Sequence, residues 1–143
     1  MICADTSFLL SYYGEDSLSE RARAHRTTAT LPLSIHAFNE FEFANALRLL
    51  VYRGKALPQQ RQAWLASYEA DKISGLLAAI EFDANAVIRV AETISAARTA
   101  TSGDRSYDIL LIAAAKLLGA TEFWSFDSRQ RDLATAEGLI VGP

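Results

Sequence analysis

Short apolar segments alternate with longer stretches of helical periodicity along this sequence of 143 residues. The apolar segments cover residues 1–5, 31–34, 75–80, 122–125 and 139–141. Each is long enough for one short strand, and apolar residues at helical spacing fill most of the intervals. Strands that alternate with helices usually pair in parallel, and the helices then cover both faces of the sheet. The sequence therefore predicts an α/β fold with three α/β/α layers and a short-stranded, mostly parallel central sheet.

Several helix ends are marked by residues that commonly cap helices. Ser34 is predicted to begin a long helix that carries Phe41 on its apolar face. Asp83 is predicted to begin another helix, which ends near residue 100. Residues 101–106 have the composition of a loop, and residues 107–118 form an apolar helix that Gly119 would end.

The length and composition are those of one globular domain, and residues 1–143 are interpreted as a single domain. Cys3 is the only cysteine, so an intramolecular disulfide and a cysteine-based zinc site are excluded, and a cytoplasmic location is expected. No stretch approaches the roughly 20 apolar residues of a membrane helix, so no membrane partner is predicted. The net charge of −3 differs from that of a strongly basic nucleic-acid binder. If the chain acts on nucleic acid, a metal or a partner must supply positive charge.

Acidic residues stand at the ends of several apolar segments. Asp5 closes the first predicted strand, Asp127 follows the strand over 122–125, and Asp108 lies in the first turn of the apolar helix. The long helix adds Glu40 or Glu42. Each acid has an ordinary structural interpretation as a helix cap or a surface residue. Because ligands of open α/β sheets bind outside the carboxyl ends of the strands, however, these acids are expected to meet at one sheet edge.

Such a cluster has a defined chemistry. Two bare carboxylates about 5 Å apart repel by roughly 3 kcal/mol at an effective dielectric constant near 20, so four of them need protons or a cation. Oxygen ligands without cysteine or paired histidines favour hard cations such as Mg²⁺ or Mn²⁺. Mg²⁺ held by carboxylates suits phosphate chemistry. The residues alone therefore predict metal-dependent phosphodiester chemistry and leave nuclease and phosphatase both open.

Four motifs in order carry a family resemblance: Ala-Asp-Thr-Ser at 4–7, Glu-Phe-Ala-Asn-Ala-Leu at 42–47, Arg-Ser-Tyr-Asp-Ile-Leu-Leu at 105–111 and Trp-Ser-Phe-Asp-Ser-Arg-Gln at 124–130. Together they resemble the PIN-domain family, and within it the VapC-like ribonuclease toxins of type II toxin–antitoxin systems. One departure is Leu111, where close relatives often carry a histidine. The resemblance spans the chain and implies a single PIN-like domain over residues 1–143.

The resemblance implies a Mg²⁺-dependent endoribonuclease, with Mn²⁺ as a substitute. The implied partners are an RNA substrate, a cognate VapB-like antitoxin and a second copy in a homodimer. The implied catalytic residues are Asp5, Glu42, Asp108 and Asp127, with Asp5, Asp108 and Asp127 as metal ligands and Thr6 and Ser125 as supporting hydroxyls. Glu40 is the alternative to Glu42, because the two lie roughly 200° apart around a helix and cannot both face the site.

Other functions remain open at this stage. A PIN-like module that binds RNA or protein without cutting is the main alternative. A haloacid-dehalogenase-like phosphatase would require an acid at position 7, which is Ser7, and the pattern of a receiver domain is also missing. Asp104 is interpreted as a solvated loop acid. Among the basic residues, Arg48, Arg53 and Lys55 are candidates for phosphate contacts.

Overall fold

The computed structural model describes residues 1–143 and contains one five-stranded sheet. The strands, of three residues each, are β1 (Ile2–Ala4), β2 (Leu33–Ile35), β3 (Leu77–Ala79), β4 (Glu122–Trp124) and β5 (Ile140–Gly142). Their order is β3-β2-β1-β4-β5, and every neighbouring pair is parallel. The predicted α/β fold with a short-stranded parallel sheet is confirmed, and β1 occupies the centre of the sheet.

Seven helices connect and cover the strands. They are α1 (Thr6–Tyr13), α2 (Ser19–Arg26), α3 (Ala37–Tyr52), α4 (Pro58–Ser74), α5 (Ala84–Ser102), α6 (Ser106–Leu117) and α7 (Ser128–Ala136). Helices α1 to α4 contribute to the apolar core on one face of the sheet, and α5 to α7 form the core on the other face. None of these helices combines the length and the apolar character needed to cross a bilayer.

The two cores follow from the alternation of side chains along the strands. Ile2 and Ala4 pack into the core of α1, α3 and α4, whereas Cys3 between them packs into the core of α5 and α6. In β4, Phe123 packs into the core of α5 and α6, whereas Trp124 packs into the core of α1, α3 and α4. Because successive strand residues point to opposite faces, strands buried on both sides must be apolar throughout, which is the pattern seen in the sequence.

The structure corrects three of the predicted element boundaries and packing positions. Ser34 lies inside β2, and His36 is the N-cap of α3 instead, because the strand continues to Ile35. Helix α5 continues through Ser102, so the predicted loop over 101–106 is shortened to three residues. Phe41 is 64% exposed, because the buried face of α3 is formed by other residues, namely Asn39, Phe43 and Leu47.

The central position of β1 determines where the candidate site forms. The Asp5 backbone N–H donates to the Trp124 carbonyl at 2.9 Å, which extends the pairing of β1 with β4 by one residue. The chain leaves β1 into α1 and leaves β4 into the turn before α7. Asp5 and Ser125 are therefore brought together at the carboxyl edge of the sheet.

Candidate active site

Asp5 is the most buried acid at this edge, with 5% of its surface exposed. It is the N-cap of α1, and its Oδ1 accepts hydrogen bonds from the Phe8 backbone N–H at 2.9 Å and the Ser7 hydroxyl at 2.7 Å. Its Oδ2 accepts from the Ser125 hydroxyl at 2.7 Å. Burial raises the pKa of Asp5 to about 6, although these three hydrogen bonds favour the ionised form, and the charge of Glu42 adds to the increase.

Two serine hydroxyls connect Asp5 to the turn that carries Asp127. The Ser7 hydroxyl accepts from the backbone N–H groups of Phe126 at 2.9 Å and Asp127 at 3.2 Å. The Ser125 hydroxyl accepts from the Asp127 N–H at 3.0 Å. Ser7 was not predicted as a site residue. Its position two residues after a strand-ending aspartate is the signal that could have identified it, since such hydroxyls often bond nearby backbone or carboxylate groups.

Asp127 is the N-cap of α7 and also lies at the site. Its Oδ1 accepts from the backbone N–H groups of Arg129 at 2.8 Å and Gln130 at 3.3 Å, whereas Oδ2 accepts no hydrogen bond. The capping interpretation of this aspartate is therefore correct, but capping occupies only one of its two oxygens. The other oxygen is available to a ligand.

Glu42, on α3, faces Asp5, and Glu40 does not. A Glu42 carboxylate oxygen accepts a short hydrogen bond from the Thr6 hydroxyl, next to Asp5 in the chain. Burial raises the pKa of Glu42, and the charge of Asp108 raises it further. Glu40 forms an ion pair with Lys72 of α4 instead. The structure thus brings Glu42, rather than Glu40, to the carboxyl edge of the sheet.

Asp108 completes the acidic group from the first turn of α6. Its carboxylate is half-buried, and burial raises its pKa, as does the charge of Asp127. The Arg105 and Arg129 guanidiniums act in the opposite direction. The Gln130 side-chain amide donates to the Asp108 carbonyl at 3.2 Å, which ties α7 to α6. Glu42 raises the pKa of Asp5, Asp108 raises that of Glu42 and Asp127 raises that of Asp108, so the four form one electrostatic cluster.

Two further residues that the sequence singled out, Asp104 and Leu111, both lie away from solvent. Asp104 is not a solvated loop acid: its side chain is only 8% exposed, because Arg98 at 3.2 Å and the Ser102 hydroxyl hold its carboxylate. Leu111 is buried in the apolar core, so this position faces packed side chains of the α5–α6 core.

The donor set fits a hard cation, although the side chains form no ready-made metal cage. No group of three or more His, Cys, Asp or Glu side chains converges closely enough to hold a metal. Every donor in the cluster is nonetheless a carboxylate or hydroxyl oxygen. Mg²⁺ keeps several waters and binds proteins through one or two carboxylates, so an open acidic cluster of this kind meets its requirements. The Asp127 oxygen that accepts no hydrogen bond is a suitable direct ligand.

Comparison with protein families identifies this arrangement. The profile of the PIN domain matches residues 2–136, nearly the whole chain. The chain belongs to the PIN-domain family. The parallel sheet, with its acids at the carboxyl edge, is thus the PIN fold, and the resemblance inferred from the four motifs is confirmed. Comparison with proteins of curated function finds no match.

Three solved structures show the same fold at low sequence identity. The sarcin-ricin loop cleaving toxin VapC20 of Mycobacterium tuberculosis has a TM-score of 0.72 and 18% identity, with complete coverage of both chains. FitAcB of Neisseria gonorrhoeae has a TM-score of 0.64 and 16% identity over 100% of this chain and 97% of that one. PAE2754 of Pyrobaculum aerophilum has a TM-score of 0.56 and 20% identity over 98% and 87% of the two chains. At these identities the similarity concerns the fold of the PIN domain.

Proposed function

We propose that this PIN domain is a magnesium-dependent endoribonuclease and the toxin of a toxin–antitoxin pair. The observation that carries the proposal is the cluster of Asp5, Glu42, Asp108 and Asp127 at the carboxyl edge of the sheet, in which the charge of a neighbouring acid raises the pKa of three members. Such a cluster is costly to keep ionised without a cation. The perturbed pKa values of three of its members are also typical of functional sites.

Asp5, Asp108 and Asp127 would hold the Mg²⁺, with Mn²⁺ as a substitute. The cation would neutralise the phosphate charge and activate the attacking water. Asp5 is kept in one orientation by hydrogen bonds from Phe8, Ser7 and Ser125. These donors stabilise its ionised form against burial, and the ionised form is the one that binds a cation.

Glu42 has a separate role in the proposal. The Thr6 hydroxyl orients its carboxylate toward the other acids. Its pKa is raised by burial and by Asp108, and it is the one acid of the cluster not assigned to the cation, so it is given the exchange of a proton with the attacking water. Thr6 and Ser125 position carboxylates and do not contact the reacting atoms.

The proposed substrate and partners are drawn from the family and from its solved structures. The structural neighbour VapC20 is described as a toxin that cleaves the sarcin-ricin loop, which makes RNA the proposed substrate here. A cognate VapB-like antitoxin, a homodimeric assembly and a cytoplasmic location complete the proposal. Residues 1–143 act in it as one PIN-like domain.

Cleavage of RNA by the purified protein, with and without Mg²⁺, tests the proposal. The wild-type chain should cut RNA with Mg²⁺ and lose that activity in EDTA. Asp5→Asn and Asp127→Asn should each lower the cleavage rate by at least about 100-fold with the fold retained. Asp83→Asn is the matched control, because Asp83 is also a helix N-cap, accepting from the Asn85 N–H at 2.9 Å, and is not part of the cluster.

The result also separates catalysis from binding. Magnesium-independent RNA binding without cleavage would contradict the enzyme proposal and identify a non-catalytic PIN-like module. A loss of cleavage in Asp83→Asn equal to that in Asp127→Asn would show that helix capping, and not the acidic cluster, accounts for the effect.

A further inference from the structure

Two arginines near the acidic cluster are occupied by protein oxygens. Arg98 Nε donates to Asp104 Oδ2 at 3.2 Å. Arg131 Nη1 donates to the carbonyl oxygens of Ser125 at 2.8 Å and Pro143 at 2.6 Å. Both guanidiniums therefore have structural roles, each through one of its nitrogens.

Arg105 and Arg129 differ from them. Both side chains are exposed, and neither guanidinium forms a hydrogen bond or an ion pair with the protein. Together with Asp108 they line a cavity of about 90 Å³, whose wall also contains Arg98, Asp104 and Asp132 and no hydrophobic residue. Both also lower the pKa of Asp108, so their charges act directly on the cluster. The site thus has two unoccupied guanidiniums at its rim.

Neutralising the charge of Asp108 does not explain why Arg105 and Arg129 lie beside it. A guanidinium that served to neutralise the carboxylate would be expected to form an ion pair with it, as Arg98 does with Asp104. Neither Arg105 nor Arg129 does so. Both also lie at helix starts, Arg105 as the N-cap of α6 and Arg129 in the first turn of α7, where a cation is disfavoured by the helix dipole.

An anion from outside would satisfy both side chains. Guanidinium groups match the geometry of a phosphate and can bind it through paired hydrogen bonds. With a net charge of −3, the chain as a whole does not attract RNA, so its phosphate contacts have to come from local positive charge. The only guanidiniums that line a cavity with Asp108 and lack a protein partner are these two.

We propose that Arg105 and Arg129 form a phosphate-binding subsite for the RNA strand, one that holds a backbone phosphate next to the bond that the acidic cluster cleaves. The inference rests on the proposed function, because it assumes an RNA substrate. The two arginines bind and position the strand, whereas the carboxylates carry out the chemistry.

Steady-state kinetics and salt-dependent binding test the subsite, using a single-stranded RNA oligonucleotide that the wild-type chain cleaves. Arg105→Gln and Arg129→Gln should each raise KM by roughly 5–10-fold and change kcat by less than about 2-fold. In an Asp5→Asn background, each change should lower the slope of log Kd against log salt concentration by about 0.7, the value for one phosphate contact to a single strand.

Arg89→Gln is the matched control. Arg89 is exposed and lies thirteen positions before Ser102, a residue of the cavity wall, which is about 20 Å along the axis of α5. Its replacement should leave KM and the salt slope unchanged, and all three variants should melt at the wild-type temperature.

Three results would overturn the inference. The first is that KM and the salt slope of the two variants equal those of Arg89→Gln. The second is a fall in kcat alone, which would show that the arginines act on the carboxylates. The third is that the variants bind RNA normally but lose affinity for an acidic partner protein. If the wild-type chain cleaves no RNA with Mg²⁺, both the subsite and the proposed function fail. The three results above would contradict only the subsite and leave the proposed function unchanged.

Discussion

The Ser125 hydroxyl donates a 2.7 Å hydrogen bond to Asp5 Oδ2, from a residue 120 positions away in the chain. It favours the ionised form of a carboxylate whose pKa burial raises to about 6. Ser125 is itself fully buried and accepts from the Asp127 N–H, so one hydroxyl connects two acids of the cluster.

Ser125→Ala should therefore shift the pH dependence of RNA cleavage. If Asp5 must be ionised to bind the cation, its pKa sets the acidic limb of the kcat/KM profile. Loss of a donor to the ionised form raises that pKa, so the limb should move to higher pH by about 0.5–1 unit at fixed Mg²⁺.

Ser11→Ala provides the control, since Ser11 is also buried and donates to a carboxylate, that of Asp16, outside the cluster. It should leave the profile in place even if the protein becomes less stable. An unchanged acidic limb in Ser125→Ala would mean that Asp5 does not set it.

The two glutamates of α3 offer a second test. Glu42→Gln should reduce cleavage by at least about 100-fold, because it removes a charge from the cluster. Glu40→Gln should keep activity within about 3-fold, since it breaks only a partly exposed ion pair with Lys72, worth under about 1 kcal/mol. Initial rates at saturating Mg²⁺ measure both. The reverse order of effects would assign the role to Glu40.

Asp5 should make the cation-free protein less stable at neutral pH. Its pKa is about 6 in the folded chain and 3.8 in the reference state. The folded state thus binds the proton more tightly, and the stability gained below pH 3.8 is lost as the pH rises through 6. At pH 7.5 without divalent cations, Asp5→Asn should raise the free energy of unfolding by roughly 2–3 kcal/mol.

Urea unfolding at pH 7.5 and pH 3.5 measures this effect. The gain should shrink at pH 3.5, where Asp5 is protonated in the folded state and mostly protonated in the unfolded state. His36, whose pKa burial lowers to about 4, contributes equally to both chains, so the difference between them isolates Asp5. A less stable Asp5→Asn variant at pH 7.5 would contradict the expected cost of the buried charge.

Gly142 is expected to be intolerant of any side chain. A Cβ atom there would lie 2.6 Å from His25 Nε2 and 2.9 Å from Trp124 Cδ1. Gly142→Ala should lower the free energy of unfolding by about 1–3 kcal/mol through overpacking. His25→Ala in the same chain should recover part of this loss, which a double-mutant cycle by thermal melting would reveal. Strict additivity of the two changes would contradict the proposed clash.

The sequence predicted the position of an acid where that acid follows closely after a strand. Asp5 and Asp127 could be placed at one edge because parallel strands present their carboxyl ends together. The position of Ser7 after Asp5 indicated a local hydrogen bond, but its acceptor role toward Phe126 and Asp127 could not be predicted, since it exists only when β4 lies beside β1. The structural role of Asp104 was hidden for a related reason: its partner Arg98 comes within reach only because α5 continues past residue 100.

The exposure of Phe41 shows another limit of the sequence pattern. Helical spacing indicated an apolar face for α3, but the rotation of the helix about its axis depends on which side chains pack best against the sheet and α4. Buried Phe43 and Leu47 fix that rotation, and they leave Phe41 in solvent. Periodicity alone does not determine which of several apolar stripes is buried.

The central place of β1 in the sheet has a consequence for protein synthesis. Asp5 is translated 120 residues before Ser125, whose hydroxyl binds it, and almost as long before its neighbour strand β4. At 5–20 residues per second, that interval lasts roughly 6–24 s. During this time the nascent chain carries Asp5 without the Ser125 hydroxyl and without β4 beside it. A chain released early, before β4, would have no complete acidic cluster, so premature termination should yield only inert fragments.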